Sequence, residues 1–86
     1  MIIKLNKNQF DYMIYSLSEE QELLRLKLKK VSQENKFISI EIDEETADEI
    51  RDWASDELQR NGFDISYDLT PEGEILEELI DLFHVE

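Results

Sequence analysis

Residues 36–42, Lys-Phe-Ile-Ser-Ile-Glu-Ile, place Ile38, Ile40 and Ile42 on one face and Ser39 and Glu41 on the other. A period of two marks a strand with one buried face. This run constrains the fold most, because such a strand cannot stand alone. It needs a hydrogen-bonding neighbour, and its isoleucine face needs a cover. Residues 1–5, with Ile2, Ile3 and Leu5, are the expected neighbour. The sheet is therefore expected to have two strands, about 1–5 and 36–42, and helices must cover it.

Three helices are expected. Phe10, Ile14, Leu17, Gln21, Leu24, Leu28 and Val31 are spaced alternately four and three apart, a heptad seam with one polar member. Asn6 with Gln9 three residues on reads as a capping box at its start. One long helix over about 7–34 follows. Ser18-Glu19-Glu20-Gln21 is itself a capping pattern, so the helix is bent or broken near 18 in the competing reading, giving 7–17 and 19–34. The heptad phase runs through Ser18 without slipping and favours one helix.

Asp43 caps a second helix over about 44–61, whose stripe is Ala47, Ile50, Ala54 and Leu58 with Trp53 at its edge. Asn61-Gly62 stops it, with Gly62 expected in the left-handed conformation and Phe63 folding back on the last turn. Residues 64–69 are a connector in which Ile65, Tyr67 and Leu69 alternate. Thr70-Pro71 opens the third helix, about 71–83, because proline lacks only an N–H that a first helical position leaves unpaired. The expected class is α+β, a small helix-rich single domain over residues 1–86. Apolar content of 41%, one proline and two glycines argue for a packed core over a disordered acidic chain.

Charge is distributed unevenly. Residues 1–42 carry seven cations and six acids, net +1, whereas residues 43–86 carry two cations and sixteen acids, net −14. A single-sign surface attracts partners of the opposite sign and repels phosphate, so direct nucleic-acid binding is not expected. No apolar run reaches the ~20 residues of a membrane span, and no leader pattern opens the chain, so no membrane partner and a cytoplasmic location are expected. The absence of cysteine excludes disulfides, thiolate zinc sites and cysteine nucleophiles.

Chemistry-bearing patterns are few. His84 is the only histidine and sits near the end of the sequence, where it reads as a helix C-terminal residue facing the helix dipole. No phosphate loop, dinucleotide fingerprint or metal motif occurs, so no catalytic residue, cofactor or metal is expected and the chain reads as a non-enzyme. Carboxylates remain. Asp48, Asp52 and Asp56 lie at i, i+4 and i+8 on one helix face, and Glu74, Glu78 and Asp81 make a similar row. A solvated face is the plain explanation; a docking face for a basic protein is the functional one. A Mg²⁺ or Ca²⁺ site comes third, since a straight row does not converge on an ion. Trp53 lies among these acids, either as a half-buried core ring or as an interface anchor that receives a partner's Arg or Lys.

In size and charge the chain is similar to small acidic inhibitors: bacterial immunity proteins, antitoxins and DNA-mimic proteins. That likeness is one of composition and transfers no binding site. The expected function is a non-catalytic interaction protein of this inhibitor-like kind, binding a basic partner protein through Asp48, Asp52, Asp56 and Trp53, with Glu45 and Glu49 beside them. The alternative is a homodimeric structural or adaptor protein assembled through the long N-terminal helix. Tyr12, Tyr15, Leu23 and Leu26 form the second apolar face of that helix and would be the dimer interface.

Overall fold

Ile3 and Leu5 on the first strand meet Ile40 and Ile38 on the strand of residues 37–41, and these four side chains form the buried face of the sheet. The computed structural model describes residues 1–84. In chain order it contains β1 (Ile2–Asn6), α1 (Lys7–Glu20), α2 (Glu22–Leu26), β2 (Lys29–Glu34), β3 (Phe37–Glu41), α3 (Glu44–Asn61) and α4 (Pro71–Leu82). The class is α+β. The expected pairing of residues 1–5 with 36–42 is present and antiparallel, and Ile42 extends it by donating its N–H to the Met1 carbonyl at 3.0 Å.

The sheet has three strands, not two, in the order β1-β3-β2. The third strand comes from the last part of the expected long helix. Asn35 at φ 45° and Lys36 turn the chain back on itself, and β2 pairs antiparallel with β3 across that turn. Asparagine accepts the left-handed region at lower cost than other non-glycine residues, which suits it to a tight hairpin. The register slips between Lys30 and Ser32, leaving Val31 as a bulge. All six β2 residues are exposed, so the strand adds ladder hydrogen bonds and little core.

The helix over 7–34 is therefore corrected to two helices and a strand. The break falls at Gln21 (φ −142°, ψ 62°), not near 18. The Ser18 hydroxyl does not cap a new helix; it donates to the Ile14 carbonyl at 2.7 Å, one turn back in α1. The seam also turns slightly. Gln9, Met13 and Leu17 are the buried stripe of α1, while Phe10 and Ile14 are half-buried at its margin. Val31, the last member of the seam, is exposed.

Helix starts follow the sequence closely. Asn6 Oδ1 accepts from Gln9 N at 2.8 Å and Gln9 Oε1 accepts from Asn6 N at 2.9 Å, a complete capping box. Thr70 Oγ1 accepts from Gly73 N at 3.0 Å, and Pro71 is the first residue of α4. The buried side chains of strands and helices form one continuous cluster, which includes Phe83, Leu76 and Leu79 of the α4 region and Ile50 and Ala54 of α3.

Gly62 is not left-handed as expected; its φ of −85° and ψ of −10° are right-handed. Glycine is required there by proximity. A Cβ on Gly62 would overlap the Leu58 side chain and lie 2.5 Å from the Leu58 carbonyl oxygen. A Cβ on Gly73 would overlap the Gly62 carbonyl oxygen. The two glycines are the contact at which α4 leaves the end of α3. Phe63 does not fold back into the core; it is exposed and bridges to Leu69.

Candidate partner-binding surface

Asp43 opens α3 by accepting the Thr46 N–H at 2.7 Å. Hydrogen bonds from the Thr46 hydroxyl and N–H hold the Asp43 carboxyl below its ordinary range. From this start the helix buries Ala47, Ile50 and Ala54 and turns Asp48, Asp52 and Asp56 outward, all three exposed. The expected row therefore exists on one face. Arg51 lies 3.4 Å from Asp48, whereas Asp52 and Asp56 have no ion pair among the described residues. Glu45 is exposed in the first turn. Glu49 is partly neutralised by Lys27, 3.3 Å away across the α2–α3 junction.

Four ion pairs are formed among the described residues, and three of them are i, i+3 pairs within one helix. Among the described residues, Lys27 is the one cation of the leading half that reaches a carboxylate of the trailing half. The lysines of β1, β2 and the hairpin leave the acidic helices unneutralised. The row of Glu74, Glu78 and Asp81 on α4 is exposed as well, with Gln9 Nε2 donating to Glu78 Oε2 at 3.4 Å. Among the described residues, no three His, Asp or Glu side chains converge on a point that would hold a metal ion.

A depression of 210 Å³ lies where the α1–α2 break faces α3. It is lined by Gln21 and Leu24 on one side and by Glu49, Asp52, Trp53 and Asp56 on the other. The break at Gln21 thus brings the acidic face of α3 beside α2. Trp53 contributes little surface of its own, because the residue is 4% exposed and its indole N–H donates to Glu20 Oε2 at 3.1 Å. Of the residues singled out from the sequence, Asp52, Asp56 and Glu45 have carboxylates without an ion pair among the described residues, Asp48 is paired with Arg51, Glu49 is shared with Lys27, and Trp53 belongs to the core. Two larger depressions, of 530 and 330 Å³, lie elsewhere, around Asn35 and Lys36 of the hairpin.

Glu57 is the residue that sequence reasoning missed. It is 4% exposed, beside Glu20 at the end of α1. Asn61 Nδ2 donates to its Oε2 at 3.1 Å and Arg60 donates to its Oε1. Burial, and after it the neighbouring Glu20 carboxyl, pushes the Glu57 carboxyl above its ordinary range. A signal was present: from Ile50 and Ala54 the next inward position is three or four residues on, and 57 meets that spacing as well as Leu58.

The apolar residues Tyr12, Tyr15, Leu23 and Leu26 do not share one helix, because the first two are on α1 and the others are on α2 beyond the break. Tyr12 is half-buried against the core, where burial, with Glu72, Glu57 and Glu20 nearby, raises its phenol above the ordinary value. Tyr15 and Leu26 are exposed, and Leu23 is 80% exposed. His84 Nδ1 lies 3.1 Å from Arg51 Nη1, which ties the end of the α4 region to α3.

No protein-family model, curated protein or solved structure matches the chain. No helix among the described residues is long and apolar enough to cross a membrane.

Proposed function

We propose that this chain is a non-catalytic acidic interaction protein, of the inhibitor kind that immunity proteins, antitoxins and DNA mimics represent, and that it binds a basic partner protein through the outer face of α3. The observation that carries the reading is the row Asp48, Asp52 and Asp56, solvent-exposed on one face, two of its three carboxylates free of ion pairs among the described residues, with Asp52 and Asp56 at the rim of the α2–α3 depression. Such a row lies where phosphates would sit on a basic protein. Long-range attraction speeds encounter, and close contacts set the lifetime of the complex. Trp53 acts here from inside, holding α3 against the end of α1 rather than touching the partner.

Charge reversal tests the proposal. Wild type and Asp48→Lys/Asp52→Lys/Asp56→Lys are compared in pull-downs from native lysate at low and high salt. Wild type is expected to retain a basic protein at low salt and release it at high salt, and the triple variant to retain none while remaining folded. Undiminished retention by the triple variant, with the same salt response, removes the α3 face from consideration.

The exposure of Tyr15, Leu23 and Leu26 favours a second reading, a homodimer through the α1–α2 side. Light scattering then gives twice the chain mass for wild type and a single chain mass for Leu23→Glu. A monomeric wild type ends this reading.

A further inference from the structure

The connection between α3 and α4, residues 63–69, is a built loop. Phe63 and Leu69 form an antiparallel bridge at its base. Within it, Asp64 N donates to Asp68 O at 2.9 Å and Tyr67 N donates to Asp64 O at 2.9 Å. Asp64 Oδ1 accepts from Ser66 N at 2.8 Å and from Asp68 N at 3.0 Å. Below the bridge, Thr70 N donates to Gly62 O at 2.9 Å. This frame uses the backbone and the Asp64 side chain.

The Ile65 and Tyr67 side chains make no hydrogen bond in that frame. They project from it, and the residues are 98% and 86% exposed. Tyr67 also holds φ 64°, in the left-handed region where glycine or asparagine sits at lower cost. A single exposed apolar residue needs no explanation. Two on one hydrogen-bonded tip, with exposed Phe63 at its base and one of them on an unfavourable backbone, are a different matter. Folding and solubility both favour Ser, Asn or Gly at these positions. Recognition residues concentrate on loops positioned by a rigid scaffold, and tyrosine is enriched among the contacts that dominate interfaces.

The surroundings define the partner. Asp64 and Asp68 bracket the two side chains, in a half-chain of net charge −14. Phosphate and anionic lipid are repelled by such a tip, and so is the same tip of a second copy. We propose that residues 63–69 are an anchor loop whose Ile65 and Tyr67 side chains enter an apolar pocket, rimmed by Lys or Arg, on a basic partner protein. The proposal rests on the reading of the chain as an acidic interaction protein and adds where binding energy is concentrated.

The test uses the full chain carrying photoreactive benzoylphenylalanine in place of Ile65 or, as control, of Gln33 on exposed β2, irradiated in cells of the source organism. An adduct specific to position 65 is expected, with the cross-link on an apolar segment flanked by Lys or Arg. No such adduct, an adduct with another copy of this chain, or one on an acidic segment overturns the proposal. The protein so identified is then purified for binding kinetics. Ile65→Ser and Tyr67→Gly are each expected to speed dissociation about tenfold or more with association unchanged. Neither should lower the melting temperature of the free chain, so lost binding is not lost folding. Unchanged dissociation in both variants overturns the anchor. The two proposals fail separately. If the α3 reversals abolish binding and the loop variants do not, the loop is wrong and the acidic face stands. If only the loop variants weaken binding, the loop stands and the α3 face falls.

Discussion

Burial of Glu57 beside Glu20 brings two acids together where the helix packing would accept an apolar side chain. The Arg60 and Asn61 side chains satisfy the Glu57 oxygens, and the Trp53 N–H engages Glu20. The net effect on Glu57 is a folded-state carboxyl titrating above its unfolded value, chiefly because burial disfavours its charge. Between those two values the folded protein therefore holds a proton that the unfolded chain has released. The associated stability is fully present below the ordinary glutamate range and is lost as pH rises through the raised value. Asp43 acts in the opposite sense, since its depressed carboxyl stabilises above the ordinary range and that contribution fades as pH falls. Glu57→Gln keeps an oxygen acceptor and adds an N–H toward Glu20. It is expected to melt higher than wild type at neutral pH, with the difference shrinking on mild acidification through the Glu57 transition. A constant difference across that range would show that Glu57 does not titrate as described. Glu57 was legible as a position on the inward stripe, while its meeting with Glu20, 37 positions earlier, was not.

At the scale of elements, beginnings were legible and ends were not. The Asn6–Gln9 box, the Asp43 cap and the Thr70-Pro71 start all involve atoms within four residues of one another, so local chemistry decides them. The corner between α3 and α4 is different, because Gly73 is glycine on account of the Gly62 carbonyl. Gly73→Ala would ordinarily gain about 1 kcal/mol of helix propensity in an exposed helix. Here the new methyl meets backbone, with the Gly62 carbonyl carbon 2.9 Å away, and backbone cannot swing aside. A net loss of about 1–3 kcal/mol is expected, in line with overpacking elsewhere, read as a lower denaturant midpoint. A gain in stability would mean that the two helices separate freely. The conversion of 29–34 from helix to strand has the same kind of cause. Lys-Lys-Val-Ser-Gln-Glu contains one apolar residue, so neither helix nor strand burial selects its conformation. The ready edge of β3, reached through the turn at Asn35, does.

The whole molecule is electrically lopsided. Among the described residues one cross-half ion pair, Lys27 with Glu49, is set against a trailing half of net −14. Repulsion among the exposed carboxylates of α3 and α4 opposes the compact state. The melting temperature is expected to rise as sodium chloride is added from about 0.01 to 0.1 M, over which the screening length falls from ~30 to ~10 Å. Differential scanning calorimetry checks this, and a melting temperature that is flat or falls would mean that favourable pairs outweigh the repulsion. By itself the sequence determined the strands at 1–5 and 36–42, the helices at 44–61 and 71–83, the outward row of Asp48, Asp52 and Asp56 and the charge imbalance, because periodicity, caps and composition are properties of neighbours along the chain. The tertiary structure alone decided that the 7–34 stretch breaks at Gln21, that 29–34 becomes a third strand, that Trp53 is spent inside the core, and that Ile65 and Tyr67 are held out in solvent. The third strand depends on the edge of β3 and the place of Trp53 on the Glu20 carboxylate 33 positions away, while the exposed loop depends on the Phe63–Leu69 bridge and the Thr70–Gly62 bond at its base, which join residues that periodicity and caps do not relate.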